Sequence, residues 1–371
     1  MQENARENKM GVMKIPALLY SISVPIIISM LVQALYNIVD SVFVAMYDNV
    51  AGTGALTAAF PVQNLMIALA VGLAVGTSAL LSRSLGQKDK EKVDLVAGQG
   101  FLLTAFGYLL FLLFGLFFLK PYVTSQVGTG SLLYTYSIDY LSVICICSVG
   151  VFLQVVCERL LQATGKSVLS MVVQLSGAVI NLILDPIFIF GLGAIPAMGV
   201  RGAAIATVVG QCVAAVVGIV LNLACNKEIT LRARSFVPNF RLLKEMLVIG
   251  IPSVCMQAIG SVMTFSMNKI LYSFSVEAMN VFGIYFKLQS FVFMPIFGLT
   301  NGMIPIVAYN YGAGRRDRVM GTVKLAAVTA IGYMLLGTLA FQLLPGTLLG
   351  FFKASEEMLR VGVPALRTIS L

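Results

Sequence analysis

The chain has 371 residues, 58% apolar and 11% charged, where a soluble domain averages about 25% charged. Its net charge of +9 comes without a single histidine, so the usual proton shuttle and commonest metal ligand are missing, and none of the six cysteines forms a CxxC pair. This argues against a soluble enzyme, a metal centre and a disulfide framework, and the position of the charges argues against a nucleic-acid partner.

Residues 15–39, 49–82, 95–119, 202–226, 246–268, 288–314 and 325–352 carry no charge. Two further stretches, 121–157 and 167–200, carry one acid each, Asp139 and Asp185. About 20 apolar residues in a helix cross a bilayer, so each stretch reads as a span. The predicted helices are 16–45, 55–83, 95–119, 135–158, 167–191 and 201–225, then 244–274, 278–310 and 321–344, with a tenth beginning near Glu356. The expected fold class is all-α, a polytopic membrane helix bundle. Residues 1–225 form a first lobe of six helices, 226–243 a basic linker, and 244–371 helices seven to ten of a second, incomplete lobe.

Basic residues crowd alternate loops, including Lys14, Lys88, Lys166, Arg234 and Arg316, while the opposite side holds little beyond Lys120, Arg201 and Lys353. Positive loops stay in the cytoplasm, so the N-terminus is expected inside and residues 226–243 form a cytoplasmic linker. The N-terminal segment is polar and the first apolar stretch is long, so no cleaved signal peptide is expected.

The chain repeats itself. GQKDKEKV begins at Gly86 and GAGRRDRV at Gly312, and the same shift of 226 residues carries Gly72 onto Gly298 and Gly76 onto Gly302. One residue further, Pro25 falls on Pro252. Six helices per half is an even number, so the halves share one orientation, related by an axis along the membrane normal. This plan is common in secondary transporters, whose substrate path lies between the halves. A second half matching the first would continue for about two and a half helices past Leu371, so the chain is expected to be a fragment.

Inside the spans, polar residues fall on single faces. The first helix carries Ser29, Gln33, Tyr36, Asn37 and Asp40, the fifth Gln174, Gly177, Asn181 and Asp185, the sixth Thr207 and Gln211. Their spacings of three and four place each set on one side of its helix. At about 1.5 Å per residue, Asp40 lies roughly 38 Å along the first helix, Asn181 and Asp185 roughly 21 and 27 Å along the fifth, and Thr207 roughly 9 Å below the outer end of the sixth. All four reach the outer half of the first lobe. A carboxylate there loses hydration, which penalises its charged form, so such a group suits proton uptake and release. Pro186 also leaves the carbonyl of Leu182 without its helical donor. The cluster suits a proton, a water or a small cation, and the two acids favour that reading over the alternative that these groups only hydrogen-bond neighbouring helices. Asp139 is expected near an outer helix end, and Glu158 and Arg159 as a local pair. In the second half Met267 stands where Asp40 stands in the first.

The segments ALYNIVDSVFVA at 34–45, SLGQKD at 84–89, INLILDPIFIFG at 180–191 and PIVAYNYGAG at 305–314 resemble those of the MATE family, the multidrug and toxic compound extrusion transporters, with most likeness to the DinF-like bacterial branch. The resemblance implies twelve helices in two lobes around a cavity that opens to alternate membrane faces. It implies export of organic, often cationic, compounds against inward H⁺ or Na⁺, with no cofactor and no catalytic residue. Carried over residue by residue, the family's first-lobe ion site matches Asp40, Asn181, Asp185 and Thr207, which take H⁺ or Na⁺; no other metal is expected. Gln33, Tyr36, Asn37 and Gln211 are candidate cavity-lining residues. Gly260 stands where another branch carries a glutamate. The expected setting is the bacterial cytoplasmic membrane, as a monomer, with lipids and small organic substrates as partners and no nucleic acid. The alternatives are a flippase for a lipid-linked saccharide, which favours a more cationic cavity, a channel, which needs a symmetric polar lining, and a membrane enzyme, which needs convergent catalytic groups.

Overall fold

The computed structural model describes residues 8–48, 51–192, 195–272, 276–350 and 356–370, and they are almost entirely helical. A short helix α1 (Lys9–Val12) precedes the long helices α2 (Ile15–Tyr47) and α3 (Ala51–Gly86). Next come α4 (Lys90–Leu113), a π-helical turn (Phe114–Phe118) and α5 (Leu119–Val127), which together make one span. Helices α6 (Leu132–Ile146), α7 (Val149–Ala163), α8 (Ser167–Phe190) and α9 (Gly199–Cys225) complete the first half. A 3₁₀ turn (Ala233–Phe236) leads into α10 (Phe240–Tyr272), α11 (Val276–Gly312), α12 (Arg316–Leu343), α13 (Pro345–Gly350) and α14 (Glu356–Ile369). Among the described residues, eight helices are long and apolar enough to cross a membrane, nine if α6 and α7 count as one span.

Two spans differ from the straight helices expected. The fourth is not one helix over 135–158: α6 and α7 meet at 46° across Cys147 and Ser148. The Ser148 hydroxyl donates to the Cys145 carbonyl at 2.9 Å, taking up a group that otherwise serves the helix ladder. The third contains the π-helical turn, where Gly115 backs onto Cys145 of α6.

Large apolar side chains point outward along the spans, among them Leu335, Leu336, Leu339 and Leu343 of α12. In water such a surface drives association; against lipid it is the matching solvent. The interior of the first half packs around Val44, Tyr140, Ile144, Phe152 and Val200. Leu18, Leu19 and Ile22 of α2 pack with Leu299 and Ile306 of α11 across the halves.

That crossing has a reciprocal geometry. A Cβ on Gly72 of α3 would run into Val254 of α10, and one on Gly298 of α11 into Ile27 of α2. Likewise Gly76 lies against Gly250, and Gly302 against Ser23. The partners interchange under the sequence shift of about one half, so two helix pairs meet backbone to backbone only because these positions lack a side chain. The segments leading into each half are exchanged as well. Asn310 and Arg318 of the second half donate to the Met10 carbonyl in α1, while Gln99 of α4 donates to the carbonyls of Ser235 and Val237 that precede α10.

Candidate functional site

Helices α8 and α9 cross where Gly177 meets Gly210. A Cβ on Gly210 would stand 2.7 Å from the Gly177 carbonyl, and one on Gly177 3.0 Å from the Gly210 carbonyl. One turn beyond that crossing, the Asn181 amide donates to Asp185 Oδ1 at 3.1 Å and to Thr207 Oγ1 at 3.3 Å. Three of the polar residues expected on these helices thus form one hydrogen-bonded unit.

Helix α2 brings the fourth. It packs along α8, and the register is held above the site by Phe43 and Phe190, whose rings meet edge to face with centroids 6.4 Å apart. Each aromatic lies about one turn past an acid, so Asp40 comes level with Asp185 and each carboxylate lies within the field of the other. Both are buried, as is Asn181. Asp40 Oδ1, Asp185 Oδ2 and Asn181 Oδ1 have no hydrogen-bond donor. Buried acceptors are normally satisfied, because leaving one bare costs about 1–3 kcal/mol. Three in one place make a pocket of oxygen ligands suited to a proton or a small hard cation.

Of the other candidate residues, Tyr36 lies near Asp40 and Asp185, with Gln33 beside it. The side chains of Asn37 and Gln211 make no hydrogen bond to this cluster; Asn37 is exposed and Gln211 half-buried on α9. Two residues not singled out from the sequence join the site. Tyr140 of α6 is buried, faces both acids, and its hydroxyl accepts from Gln63 of α3 at 3.1 Å. The sequence signal nearest to Tyr140 is its neighbour Asp139, whose own side chain is only half-buried.

Deeper in the bundle, toward the α1 end, lies a second polar layer. Gln154 of α7 donates to Glu158 and to Gln174 of α8, each at 2.9 Å. Arg159 donates to Gln162 at 3.2 Å and to Asn301 of α11 at 3.1 Å. Gln162 in turn donates to Ser170 at 2.8 Å. The expected local pair of Glu158 and Arg159 does not form as an ion pair: successive residues leave a helix about 100° apart, so each side chain takes a different partner. The polar face of α8 thereby divides, Gln174 serving this layer and Asn181 and Asp185 the oxygen cluster.

The second half repeats neither layer among its described residues. Met267, the counterpart of Asp40, packs with Tyr285, Phe341, Leu349 and Leu366 in an apolar cluster. The described residues hold no group of three or more His, Cys, Asp or Glu arranged to bind a metal.

A family profile named MatE matches residues 25–187 and 252–371. The chain is 29% identical over 307 residues to the multidrug export protein MepA of Staphylococcus haemolyticus, covering 83% of this chain and 67% of that protein. It is similar to the solved structure of the MATE multidrug transporter DinF-BH in complex with R6G, at 30% identity and a TM-score of 0.87, over 99% of this chain and 80% of the other. A multidrug resistance MATE family transporter of the MOP superfamily, solved in an outward-facing conformation, matches at 25% identity and a TM-score of 0.88, over 100% and 81% of the two chains.

Proposed function

Because the chain belongs to the MATE family of multidrug efflux transporters, we propose that it exports organic cations in exchange for H⁺ or Na⁺, with Asp40, Asn181, Asp185 and Thr207 as the coupling site. The observation that carries this reading is the set of three buried oxygens without donors, contributed by two acids and an amide from two helices. Two carboxylates sharing one dry site repel each other and have lost their hydration. A proton or a sodium ion supplies the missing positive charge. It therefore favours the arrangement in which α2 and α8 hold the acids together. When the ion leaves, repulsion favours separation of the same helices. One equilibrium between two packings is then biased by ion occupancy at one end and by substrate at the other, as exchange requires.

Asn181 and Thr207 orient Asp185 and offer neutral oxygens, and the acids carry the charge. Tyr36 and Tyr140 border the site and place hydroxyl groups beside the carboxylates. A cationic substrate suits a site whose charge comes from the two buried carboxylates of Asp40 and Asp185. We place the chain in the bacterial cytoplasmic membrane with α1 on the inner side, on the strength of its basic loops.

The test is efflux of a fluorescent cationic dye from proteoliposomes under an imposed H⁺ gradient, an imposed Na⁺ gradient, or neither. Gradient-driven efflux that disappears in Asp40→Asn and Asp185→Asn supports the reading. Efflux independent of both gradients, or unchanged in both variants, overturns it.

A further inference from the structure

On the α1 side a cavity of about 450 Å³ opens between α1, the turn joining α7 to α8, and the segment following α9. Lys9 and Lys166 both line it. The stem of Lys9 lies over Gly165, and Lys166 donates from its ammonium to the Cys225 carbonyl. The carboxylate in the wall, Glu228, is engaged by the Asn8 amide at 2.8 Å and forms no ion pair with either lysine. Asn8 also donates to the Thr164 carbonyl at 3.4 Å. Burial, and then the neighbouring charge of Lys166, hold the Lys9 ammonium below its ordinary range. Among the described residues, the cavity thus carries two lysine charges that repel and one carboxylate that pairs with neither of them.

Its remaining wall is apolar. Val168 and Leu169 of α8 line it. From Val168 an exposed apolar row continues along the outside of α8 through Val172, Val179 and Ile183. Those spacings of four, seven and four keep the row on one face of the helix. A dibasic cavity at the membrane boundary, continuous with an apolar strip running into the bilayer, has the shape and charge of a phospholipid cut in two.

We propose that this cavity is a binding site for the phosphate-bearing headgroup of an anionic phospholipid, whose acyl chains lie along the Val168–Ile183 face of α8. The phosphate sits between Lys9 and Lys166 and offsets their repulsion, and the first turn of α8 faces it. The lipid then holds α1 against the α7–α8 turn. The other side of α1 is held by the second half, through Asn310 and Arg318 to the Met10 carbonyl and Arg318 to the Met13 carbonyl. A bound headgroup thereby fastens the two halves to each other on the α1 side. This goes beyond ion and substrate exchange and stands whether or not the coupling site is as proposed.

The test uses the purified full chain in detergent and native mass spectrometry of retained lipid, with phosphatidylglycerol, phosphatidylcholine and inorganic phosphate as separate additions. Phosphatidylglycerol is expected to be retained in preference to phosphatidylcholine. The Lys9→Gln/Lys166→Gln variant should retain it about thirty-fold less, in line with the worth of two basic residues beside an anionic lipid. Lys9→Arg/Lys166→Arg should retain it as the parent does, which separates loss of charge from loss of fold. Lys244→Gln/Lys324→Gln, which removes two exposed lysines elsewhere on the chain, should leave retention unchanged. Equal retention by the Lys9→Gln/Lys166→Gln variant, or equal loss in the Lys244→Gln/Lys324→Gln control, overturns the site. If millimolar inorganic phosphate displaces the lipid fully, the anion is free phosphate and the lipid assignment falls.

Discussion

Arg159 of α7 donates a hydrogen bond of 3.1 Å to Oδ1 of Asn301 of α11, joining the first half of the chain to the second through two side chains. Arg159 is buried, and its other acceptor is Gln162 on the same helix. A buried charge held by neutral acceptors is costly to strand, so this bond favours the arrangement in which α7 and α11 touch.

Asn301→Leu removes that acceptor and leaves Gln162 in place. The expected result is a shift toward states open on the α1 side and a loss of about 1–3 kcal/mol in stability, the usual cost of stranding a buried donor. Spin labels at Lys227 and Lys324, both exposed, report the distance between the halves. A distance distribution identical to the parent's would show that the bond does not hold the halves together.

Asp40→Asn keeps the shape of the side chain and removes its charge. The protein should fold and bind substrate, yet lose efflux driven by an ion gradient. Asp40→Glu should restore part of that efflux, because it keeps a titrating carboxyl. Wild-type export by Asp40→Asn under a proton gradient would place the coupling step elsewhere.

Asn181→Ala and Thr207→Ala should weaken coupling less than loss of either acid, since neither residue carries a charge. Asn181→Ala should be the more damaging of the two, because Asn181 donates to both Asp185 and Thr207. Efflux rates of the four single variants at matched expression give the order. An Asn181 variant as inactive as the Asp185 variant would mean that the amide is itself a required ligand.

Gly210→Ala drives a methyl group to 2.7 Å from the Gly177 carbonyl, while Gly177→Ala meets its nearest atoms at 3.0 Å. Overpacking of this kind costs about 1–3 kcal/mol, so both variants should melt lower, with Gly210→Ala the lower of the two. Because the crossing sets the distance from Asn181 to Thr207, Gly210→Ala should also lose coupled transport. Melting temperatures in the reverse order would contradict the observed approach of α8 and α9.

A single cysteine at Gln87, in the loop between α3 and α4, should resist an impermeant thiol reagent in intact cells and react once the membrane is opened. Rapid modification in intact cells would reverse the orientation of the whole bundle.

The number and order of the spans were legible in the sequence because lipid imposes one rule on every helix: about 20 residues without charge. So were the polar faces, since the spacings of Asp40, Asn181, Asp185 and Thr207 depend only on the period of the helix. What the sequence could not provide was adjacency. Tyr140 faces the acids from α6 and Gln63 reaches Tyr140 from α3, and a helix shows which residues share its own face but not which helix lies opposite. Asn37 shows the limit from the other side: it keeps the spacing of the polar stripe, yet its side chain makes no hydrogen bond to the cluster. The bend at Cys147 and Ser148 and the division of Arg159 from Glu158 are likewise products of packing, because each depends on atoms supplied by another helix or an earlier turn. Helix period and hydropathy are local and are written into the chain. The meeting of Gly177 with Gly210, and of Gly72 with Val254, is decided only where two helix surfaces fit together.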